Sequence, residues 1–302
     1  MIHKDKEDKL IAIYFFVCNQ YDTNLKFSCQ RFSNNDQPSF TDQEIMTIYL
    51  YSINIEQRFK IKQIYCFANE HLRSWFPKLP SYAAFNNRLN QLHAAFRNLV
   101  ECLITQYRPI DCYTDESLLD SMPIITCSGK RSGKVATEIT NKGYCSTKNM
   151  YYYGLRLHTL AFRRYHQLPF PEQLLFTPAS ENDLNVFKLA WSNIENRIFY
   201  GDKIYYNEDF FSQLEINHNS IMLTPIKGIK NQSVWEKQFN KAANDLFSTA
   251  VSKVRQPIEA FFNWLIQKTD FQIASKVRST KGLLVHIFGK MAAAFIGLIF
   301  NP

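Results

Sequence analysis

The chain has 302 residues, a hydrophobic fraction of 46% and a formal net charge of +8 at pH 7. This composition excludes an intrinsically disordered chain and leaves room for one large domain and one small domain. The seven cysteines show neither CxxC pairs nor the spacing of a zinc finger, and no secretion signal opens the chain. We therefore expect reduced thiols in the cytoplasm.

Positive charge is concentrated in two segments. Residues 128–164 hold eight Lys and Arg against one Glu, and residues 226–290 hold eleven against four acidic residues. Residues 1–127 and 165–225 carry a net negative charge. This distribution favours a face that binds a polyanion such as nucleic acid, and a merely solubilising surface is the alternative.

The segment 282–300 is apolar and long enough to suggest a membrane span. Lys290 lies near its middle, and glycines interrupt it at positions 282, 289 and 297. These features favour a C-terminal helix buried in protein, so we expect no membrane association.

Residues 1–107 show helical patterns throughout. Apolar side chains recur with helical spacing over residues 5–20, and the capping box Thr41–Glu44 directly precedes the apolar run Ile45–Ile53. Further helices are predicted over residues 61–67 and, behind the capping residue Ser81, over residues 82–103. The last of these carries polar side chains suited to a helix-turn-helix-like DNA-binding unit, although a simple helical bundle has the same pattern. They are Tyr82, Asn86, Asn87, Arg88 and Gln91.

Residues 108–302 have the pattern of a second, α/β domain. Strands are predicted over residues 118–125, 150–162, 174–177, 198–200 and 221–225, and helices over residues 183–193, 209–214 and much of the chain after residue 233. Three antiparallel strands followed by alternating helices and strands indicate a mixed sheet flanked by helices.

Three carboxylates in this domain suggest a single site. Asp120 lies within a predicted strand, and Asp202 follows the strand 198–200 directly. Pro257 fits the first turn of a helix and would place Glu259 in that turn; if the helix extends back to Arg255, the two residues share a face. A solvated turn beside Lys203 and an ordinary helix ion pair are the alternatives. Three hard oxygen ligands suit Mg²⁺ or Mn²⁺, and two such ions support phosphoryl transfer.

Four motifs follow one another along the second domain. They are Asp120-Ser121-Met122-Pro123, Tyr153-Gly154-Leu155-Arg156-Leu157-His158, Tyr200-Gly201-Asp202-Lys203-Ile204-Tyr205 and Arg255-x-x-x-Glu259. In order and rough spacing they resemble the bacterial insertion-sequence transposases of the DDE type over residues 110–300. The resemblance implies an RNase H-like catalytic domain with Asp120, Asp202 and Glu259 as the metal-binding triad. Two positions depart from the pattern: Ser252 replaces a tyrosine, and Ile266 a lysine, with Lys268 two residues further on.

The resemblance also implies contacts with DNA. Arg255 matches an arginine expected at the phosphates of the transposon end, and Lys203 lies beside the metal site. Trp235, in a polar and basic segment, is either a base-stacking residue or part of the core, and His158 is either a core residue or a neighbour of the site. The remaining residues predicted to bind DNA are Lys130, Arg131, Arg156, Lys227, Lys230 and Lys268.

The sequence thus predicts a cytoplasmic, nucleoid-associated bacterial transposase. It would bind the terminal inverted repeats of its element as double-stranded DNA, cleave there with divalent metal and join the 3′-hydroxyl ends to target DNA. Because two ends must be paired, we expect a homodimer on DNA. The alternatives are a metal-dependent nuclease of the same fold and a catalytically inactive DNA-binding relic.

Overall fold

The computed structural model describes residues 3–31, 38–226 and 233–300, apart from the side chains of residues 240, 242 and 243. The chain forms two compact units. Unit 1 consists of Met1–Tyr107, Lys134–Ala136 and Leu265–Pro302, and unit 2 of Arg108–Gly133 and Thr137–Trp264. The boundary after residue 107 coincides with the predicted one. Residues 265–302, however, pack within unit 1 and not with the rest of the predicted domain 108–302.

Unit 1 is helical. Its first helix continues through a π-helical turn, Tyr21–Leu25, and a 3₁₀ turn, Lys26–Cys29, and its last two helices are joined by a second π-helical turn, Val285–Gly289. The helices are α1 (Lys4–Gln20), α2 (Asp42–Asn54), α3 (Ile61–His71), α4 (Tyr82–Gln91), α5 (His93–Gln106), α9 (Thr280–Leu284) and α10 (Lys290–Phe300). The helical character predicted for residues 1–107 is therefore confirmed, but the single helix predicted over residues 82–103 is wrong: α4 ends at Gln91, and α5 begins at His93 after the non-helical Leu92.

The capping box at the start of α2 is formed as predicted. Thr41 Oγ1 accepts a hydrogen bond from the amide of Glu44 at 3.2 Å, and Glu44 Oε2 accepts one from the amide of Thr41 at 2.6 Å. Such a cap contributes about 1 kcal/mol. The helix that follows is buried from Ile45 through Ile53, so its position at the centre of unit 1 depends on packing more than on the cap.

A partly buried ion cluster connects the start of α2 to α4. Arg88 donates from Nε and Nη2 to the two carboxylate oxygens of Asp42, at 2.8 and 2.6 Å, and Arg31 donates to Oδ1 at 2.7 Å. Arg88 also donates to the carbonyl oxygen of Cys29 at 2.6 Å. The buried carboxylate is thereby neutralised. Arg88, one of the side chains predicted to face DNA, is instead engaged inside unit 1.

The C-terminal helices belong to the core of unit 1. The segment Thr280–Phe300 is long and apolar enough to cross a membrane by length and composition, and 67% of its apolar window is buried in the structure. Residues Met291–Ile296 are buried, and α10 packs on α2 and α5. An apolar helix of this kind lowers its exposed apolar area most by packing on other apolar helices, which explains why it joins unit 1.

The side chain of Lys290, at the start of α10, is buried together with its amino group. It is 2% exposed, and its Nζ donates to the carbonyl oxygen of Asp270 at 2.8 Å. Burial lowers the pKa of Lys290 to about 8, although Asp270 acts in the opposite direction. The charged form is therefore disfavoured in the folded state.

Unit 2 is built on a mixed six-stranded sheet. Its strands are β1 (Cys112–Ser128), β2 (Asn141–Cys145), β3 (Met150–Arg164), β4 (Phe170–Pro178), β5 (Ile198–Tyr200) and β6 (Ile221–Leu223). The order is β2-β3-β1-β5-β6, with β4 also paired to β3. β1, β2 and β4 pair with β3 in antiparallel fashion, whereas β5 runs parallel to β1 and β6 parallel to β5. A mixed α/β architecture is confirmed. β2 falls in a segment where the sequence predicted only a basic loop.

Burial along much of β3 is continuous and not confined to alternate residues. Every residue from 157 to 162 is buried, because both faces of the sheet are covered at this point. At Gly154 a Cβ atom would lie 1.9 Å from the carbonyl oxygen of Ile124 on β1. Only glycine permits this close approach of the two strands.

Three helices of unit 2 complete the fold: α6 (Asp183–Ala190), α7 (Glu208–His218) and α8 (Val234–Thr269), the last of which continues into unit 1. α6 and α7 pack on one face of the sheet. They contribute Phe187, Trp191 and Leu214 to an apolar cluster with Leu119, Leu160, Phe199, Tyr205 and Met222. Side chains alternate along a strand, so Asp120 points away from the face that carries Leu119.

The burial of Lys290 predicts a pH dependence of stability. In the unfolded chain a lysine titrates near pH 10.4, so raising the pH above 8 releases the proton from the folded state first and stabilises it. Relative to Lys290→Met, we expect the wild-type free energy of unfolding to rise by about 1–2 kcal/mol between pH 7.5 and 9.5. Urea unfolding at both pH values measures it. The exposed Lys281→Met is the matched control and should show no such gain; a constant difference for Lys290→Met would contradict the assignment.

Candidate active site

Asp120 lies in the middle of β1, opposite Thr159 of β3. Its Oδ1 accepts a hydrogen bond from the amide of Ser121 at 2.8 Å, and its Oδ2 accepts one from Arg255 Nη1 at 2.9 Å. Its side chain is 22% exposed. The carboxylate is thus held by one backbone donor and one cation, with a small part open to solvent.

Asp202 reaches the same place from the neighbouring strand. Leu118 of β1 pairs with Tyr200 of β5 in parallel register, and each aspartate lies two residues beyond this pair. The parallel register therefore brings Asp120 and Asp202 into the same region of the sheet, although Asp120 lies within β1 and not at a strand end. Asp202 is exposed, and its Oδ1 accepts a hydrogen bond from the amide of Lys203 at 2.7 Å, which caps the 3₁₀ turn Lys203–Tyr205.

Glu259 is contributed by α8. Arg255 and Glu259 are one helical turn apart, and Arg255 Nη2 donates to Glu259 Oε1. The expectation that Pro257 lies in the first turn of a helix is wrong: α8 starts at Val234 and runs through Pro257 without a break. Proline removes one helix hydrogen bond, but Val251 before Pro257 and Ile258 and Phe261 after it are buried and anchor the helix on both sides of the proline.

Arg255 bridges two of the three carboxylates. One of its terminal nitrogens contacts Asp120, and the other contacts Glu259. Burial acts to lower the pKa of Arg255, but the carboxylates of Asp120, Glu259 and Asp202 together raise it. Its Nε is buried and has no hydrogen-bond partner among the described residues. All four charged groups therefore act on one another as a single electrostatic cluster.

The pKa of Asp120 is shifted by its burial and by the charged groups around it. The pKa is raised from 3.8 to about 6: burial is the largest cause and the nearby carboxylates of Glu259 and Asp202 act in the same direction, while Arg255 and the amide of Ser121 lower it. One guanidinium does not fully compensate three carboxylates. The site consequently has a remaining affinity for positive charge.

The donor set matches the predicted metal, but its arrangement is not that of a formed metal site. Three carboxylates supply the oxygen ligands that Mg²⁺ and Mn²⁺ prefer. Within the part of the chain that the structure describes, however, no group of three or more His, Cys, Asp or Glu side chains is placed to hold a metal ion. Arg255 lies between Asp120 and Glu259, where a shared cation would bind. The residues fit a divalent ion only if Arg255 leaves this position.

A second polar cluster lies between α6 and the face of the sheet opposite to the one on which Asp120 lies. Asp183 is buried and accepts hydrogen bonds from Arg156 Nη1 at 3.2 and 3.3 Å. His158 is completely buried; its Nε2 lies 2.8 Å from Thr177 Oγ1, and its Nδ1 lies 3.1 Å from Asp183 Oδ1 without hydrogen-bond alignment. Burial acts to raise the pKa of Asp183, but His158 and Arg156 lower it overall.

This cluster changes the interpretation of two predicted residues. Arg156, predicted to bind DNA, is an internal ion-pair partner with only 16% of its side chain exposed. His158 belongs to the core, one of its two predicted places. Asp183 was missed as a partner of both residues, because an acidic residue directly after the capping residue Asn182 is typical of any helix start.

The other predicted DNA-binding residues lie in different parts of the chain. Lys203 is exposed beside Asp202. Lys130 and Arg131 are exposed just beyond the end of β1, on the order of 25 Å along the strand from Asp120. Lys268 lies in the last turn of α8, within unit 1. Lys227 and Lys230 lie outside the described residues.

Trp235 is not a core residue. It is 70% exposed in the first turn of α8 and stacks on Phe239, with ring centroids 5.4 Å apart and planes 13° from parallel. Twenty residues separate it from Arg255, which is roughly 30 Å along a helix. Its exposed ring is free to stack on another planar group, but not at the carboxylate cluster.

The position of Arg255 predicts competition with metal. If its guanidinium takes the place of a cation between Asp120 and Glu259, Arg255→Ala should bind Mn²⁺ roughly tenfold more tightly than the wild type, since two unpaired carboxylates remain. Calorimetric titration with Mn²⁺ measures this. Arg131→Ala removes an exposed arginine outside the cluster and should leave the affinity unchanged. Equal or weaker binding by Arg255→Ala would show that Arg255 does not compete with a metal.

No protein-family model, curated protein or solved structure matches this chain. The chemistry of the site has to follow from its own side chains.

Proposed function

We propose that this chain is a DNA transposase of the DDE type, with Asp120, Asp202 and Glu259 as its catalytic carboxylates. The observation that carries the proposal is the parallel pairing of β1 with β5, which sets Asp120 beside Asp202, together with the bond of Arg255 to both Asp120 and Glu259. Three acidic residues about 80 and 57 positions apart in the chain thus meet in one cluster. Chance surface acids rarely converge in this way at the expense of a raised pKa.

The connectivity of the sheet supports an RNase H-like assignment for unit 2. β1, β3 and β4 form an antiparallel meander, and β5 and β6 are then added in parallel on the other side of β1 through α6 and α7. Asp120 lies on β1, and Asp202 follows β5, the strand that pairs with β1 in parallel register.

The proposed reaction has two displacements at phosphorus. Water attacks the phosphodiester at the element end and its 3′-oxygen leaves as a hydroxyl; that 3′-hydroxyl then attacks a phosphodiester of the target strand, whose own 3′-oxygen leaves. Asp120, Asp202 and Glu259 would hold Mg²⁺ or Mn²⁺, and two such ions supply activation of the attacking oxygen and stabilisation of the leaving oxygen. Arg255 would pair with a DNA phosphate in exchange for its carboxylate partners, since guanidinium binds both groups through paired hydrogen bonds. Lys203, exposed beside Asp202, would attract the phosphate backbone to the cluster.

The proposed substrates are the terminal inverted repeats of the element and a target duplex. Both ends have to be cut and joined together, so the proposal includes a homodimer on DNA. The exposed basic residues Lys130 and Arg131 and the exposed ring of Trp235 lie far enough from the cluster to contact DNA flanking the cut site.

A specific observation favours one alternative. Because Arg255 lies where a shared cation would bind, the protein could also be a DNA-binding relic whose carboxylates are permanently neutralised by arginine. The two functions differ in metal-dependent chemistry, which the next experiment measures.

Asp202→Asn should abolish cleavage while preserving DNA binding. With labelled DNA carrying the flanking element ends and Mg²⁺ or Mn²⁺, we expect nicks at the element boundary in the wild type. The rate should fall by roughly 10³-fold or more in Asp202→Asn, as when one member of a catalytic set is removed. Asp202 is exposed, so the substitution should not disturb folding. Asp209→Asn, an exposed acid in the first turn of α7, is the matched control.

The products separate the alternatives. Joining of cut ends to a second duplex supports a transposase, and cuts without joining indicate a nuclease. Binding with no cleavage in either metal indicates a relic. If Asp202→Asn and Asp209→Asn cleaved as well as the wild type, the catalytic assignment would be wrong.

A further inference from the structure

Unit 1 contains a cavity that the proposed reaction does not use. Its volume is about 560 Å³, within the range of small-molecule and cofactor sites. Its walls come from the start of α3, from α4 and from residues 270–290, all within unit 1. The cavity therefore has a ligand-sized interior formed by a single compact unit.

The walls of the cavity carry an excess of positive charge. Five cationic side chains line it against one carboxylate, that of Asp270; they are Lys60, Lys62, Lys276, Arg278 and Lys290. No salt bridge formed by the described residues involves any of these five cations. Burial and the charge of Lys290 lower the pKa of the lining His286 to about 3, so that ring adds no charge at neutral pH. Lys290 and Arg278 donate to backbone carbonyl oxygens, and no described carboxylate forms a salt bridge with the three other lysines. An anion would balance this excess of positive charge, and phosphate is an anion that lysine side chains bind in proteins.

One residue of the cavity wall carries a hydrogen-bond acceptor that no described group uses. Asn90 Oδ1, on α4, is buried without a hydrogen-bond partner in the described part of the chain, and Asn90 lines the cavity. An unpartnered buried oxygen costs free energy unless a ligand supplies a donor. Ring N–H and amino groups of nucleobases are such donors, and asparagine pairs with them in many complexes.

Aromatic rings complete the lining. Phe59, Tyr49 and Tyr82 contribute to the walls, and Tyr82 is 39% exposed. Flat apolar surfaces of this type stack on nucleobases with little dependence on the base. Cations, an amide acceptor and aromatic rings around one cavity are the chemical complement of a base that carries a phosphate.

We propose that this cavity binds a nucleotide, with Lys60, Lys62 and Lys276 pairing with the phosphate and Asn90 accepting a hydrogen bond from the base. The ligand is either a free mononucleotide or the phosphorylated end of a DNA strand, which present the same chemistry. Neither requires the carboxylates of unit 2, so the proposal stands independently of the proposed transposition.

Titration calorimetry of the full-length protein in EDTA tests the proposal. The probes are dAMP, deoxyadenosine, inorganic phosphate, and a short single-stranded oligonucleotide with or without a 5′-phosphate. We expect dAMP to bind more tightly than either of its parts. A preference for dAMP over the phosphorylated oligonucleotide would identify a free nucleotide as the ligand, and the reverse order would identify a strand end.

Two variants separate the phosphate and base contacts. Lys276→Gln should weaken both dAMP and phosphate roughly three- to fivefold, as for a solvent-exposed charge pair. Asn90→Ala should weaken dAMP but not phosphate, and it should fold normally because Asn90 Oδ1 has no partner to lose. Lys78→Gln, an exposed lysine that does not line the cavity, is the matched control.

Three results would overturn the proposal. One is the absence of binding by dAMP and both oligonucleotides at millimolar concentration. Another is equal affinity for dAMP and phosphate with no effect of Asn90→Ala, which would leave only a general anion site. The third is an equal loss in Lys276→Gln and Lys78→Gln, which would indicate nonspecific charge attraction.

Discussion

Unit 2 depends on the pairing of β1 along both of its edges. β1 pairs with β3 in antiparallel fashion over most of its length and with β5 in parallel fashion over residues 116–118. The first pairing fixes Asp120 in the middle of the sheet, and the second delivers Asp202 beside it. A shift of β5 by one residue would turn Asp202 to the other face of the sheet. The three-residue ladder of β5 therefore determines whether the two aspartates act on each other at all.

The two faces of this sheet each carry a largely buried carboxylate, Asp183 on one and Asp120 on the other, and the charged neighbours of these two carboxylates differ. Under α6, Asp183 is satisfied by Arg156 and lies beside His158, and its pKa is lowered. On the side of α8, Asp120 has Arg255 but also two further carboxylates nearby, and its pKa is raised, chiefly by burial and in smaller part by these carboxylates. In the first arrangement the charge of Asp183 is balanced by the guanidinium of Arg156, as in a structural ion pair. The second keeps an excess of negative charge, because three carboxylates surround one guanidinium.

The sequence predicted a local feature well where the residues that determine it all lie within one short segment. The capping box Thr41–Glu44 and the strand with Asp120 are examples, because cap and alternation are encoded within a few residues. Pro257 was misjudged because local propensity places proline at a helix start, whereas the buried side chains of Ile258 and Phe261 hold the helix through it. The packing of residues 265–302 within unit 1 and the ion pair of Arg88 with Asp42 depend on contacts distant in the chain, which no local pattern contains.

The bridging position of Arg255 has a thermodynamic consequence under the proposed function. A DNA phosphate that attracts Arg255 would release Asp120 and Glu259 at the same time, and a divalent cation bound by those carboxylates would in turn free Arg255 for DNA. Each ligand would then raise the affinity of the other by the same factor, as reciprocal coupling requires. A single arginine would thus make DNA and the divalent cation bind cooperatively. The protein without its DNA ends would bind little metal and would therefore show little nonspecific cleavage.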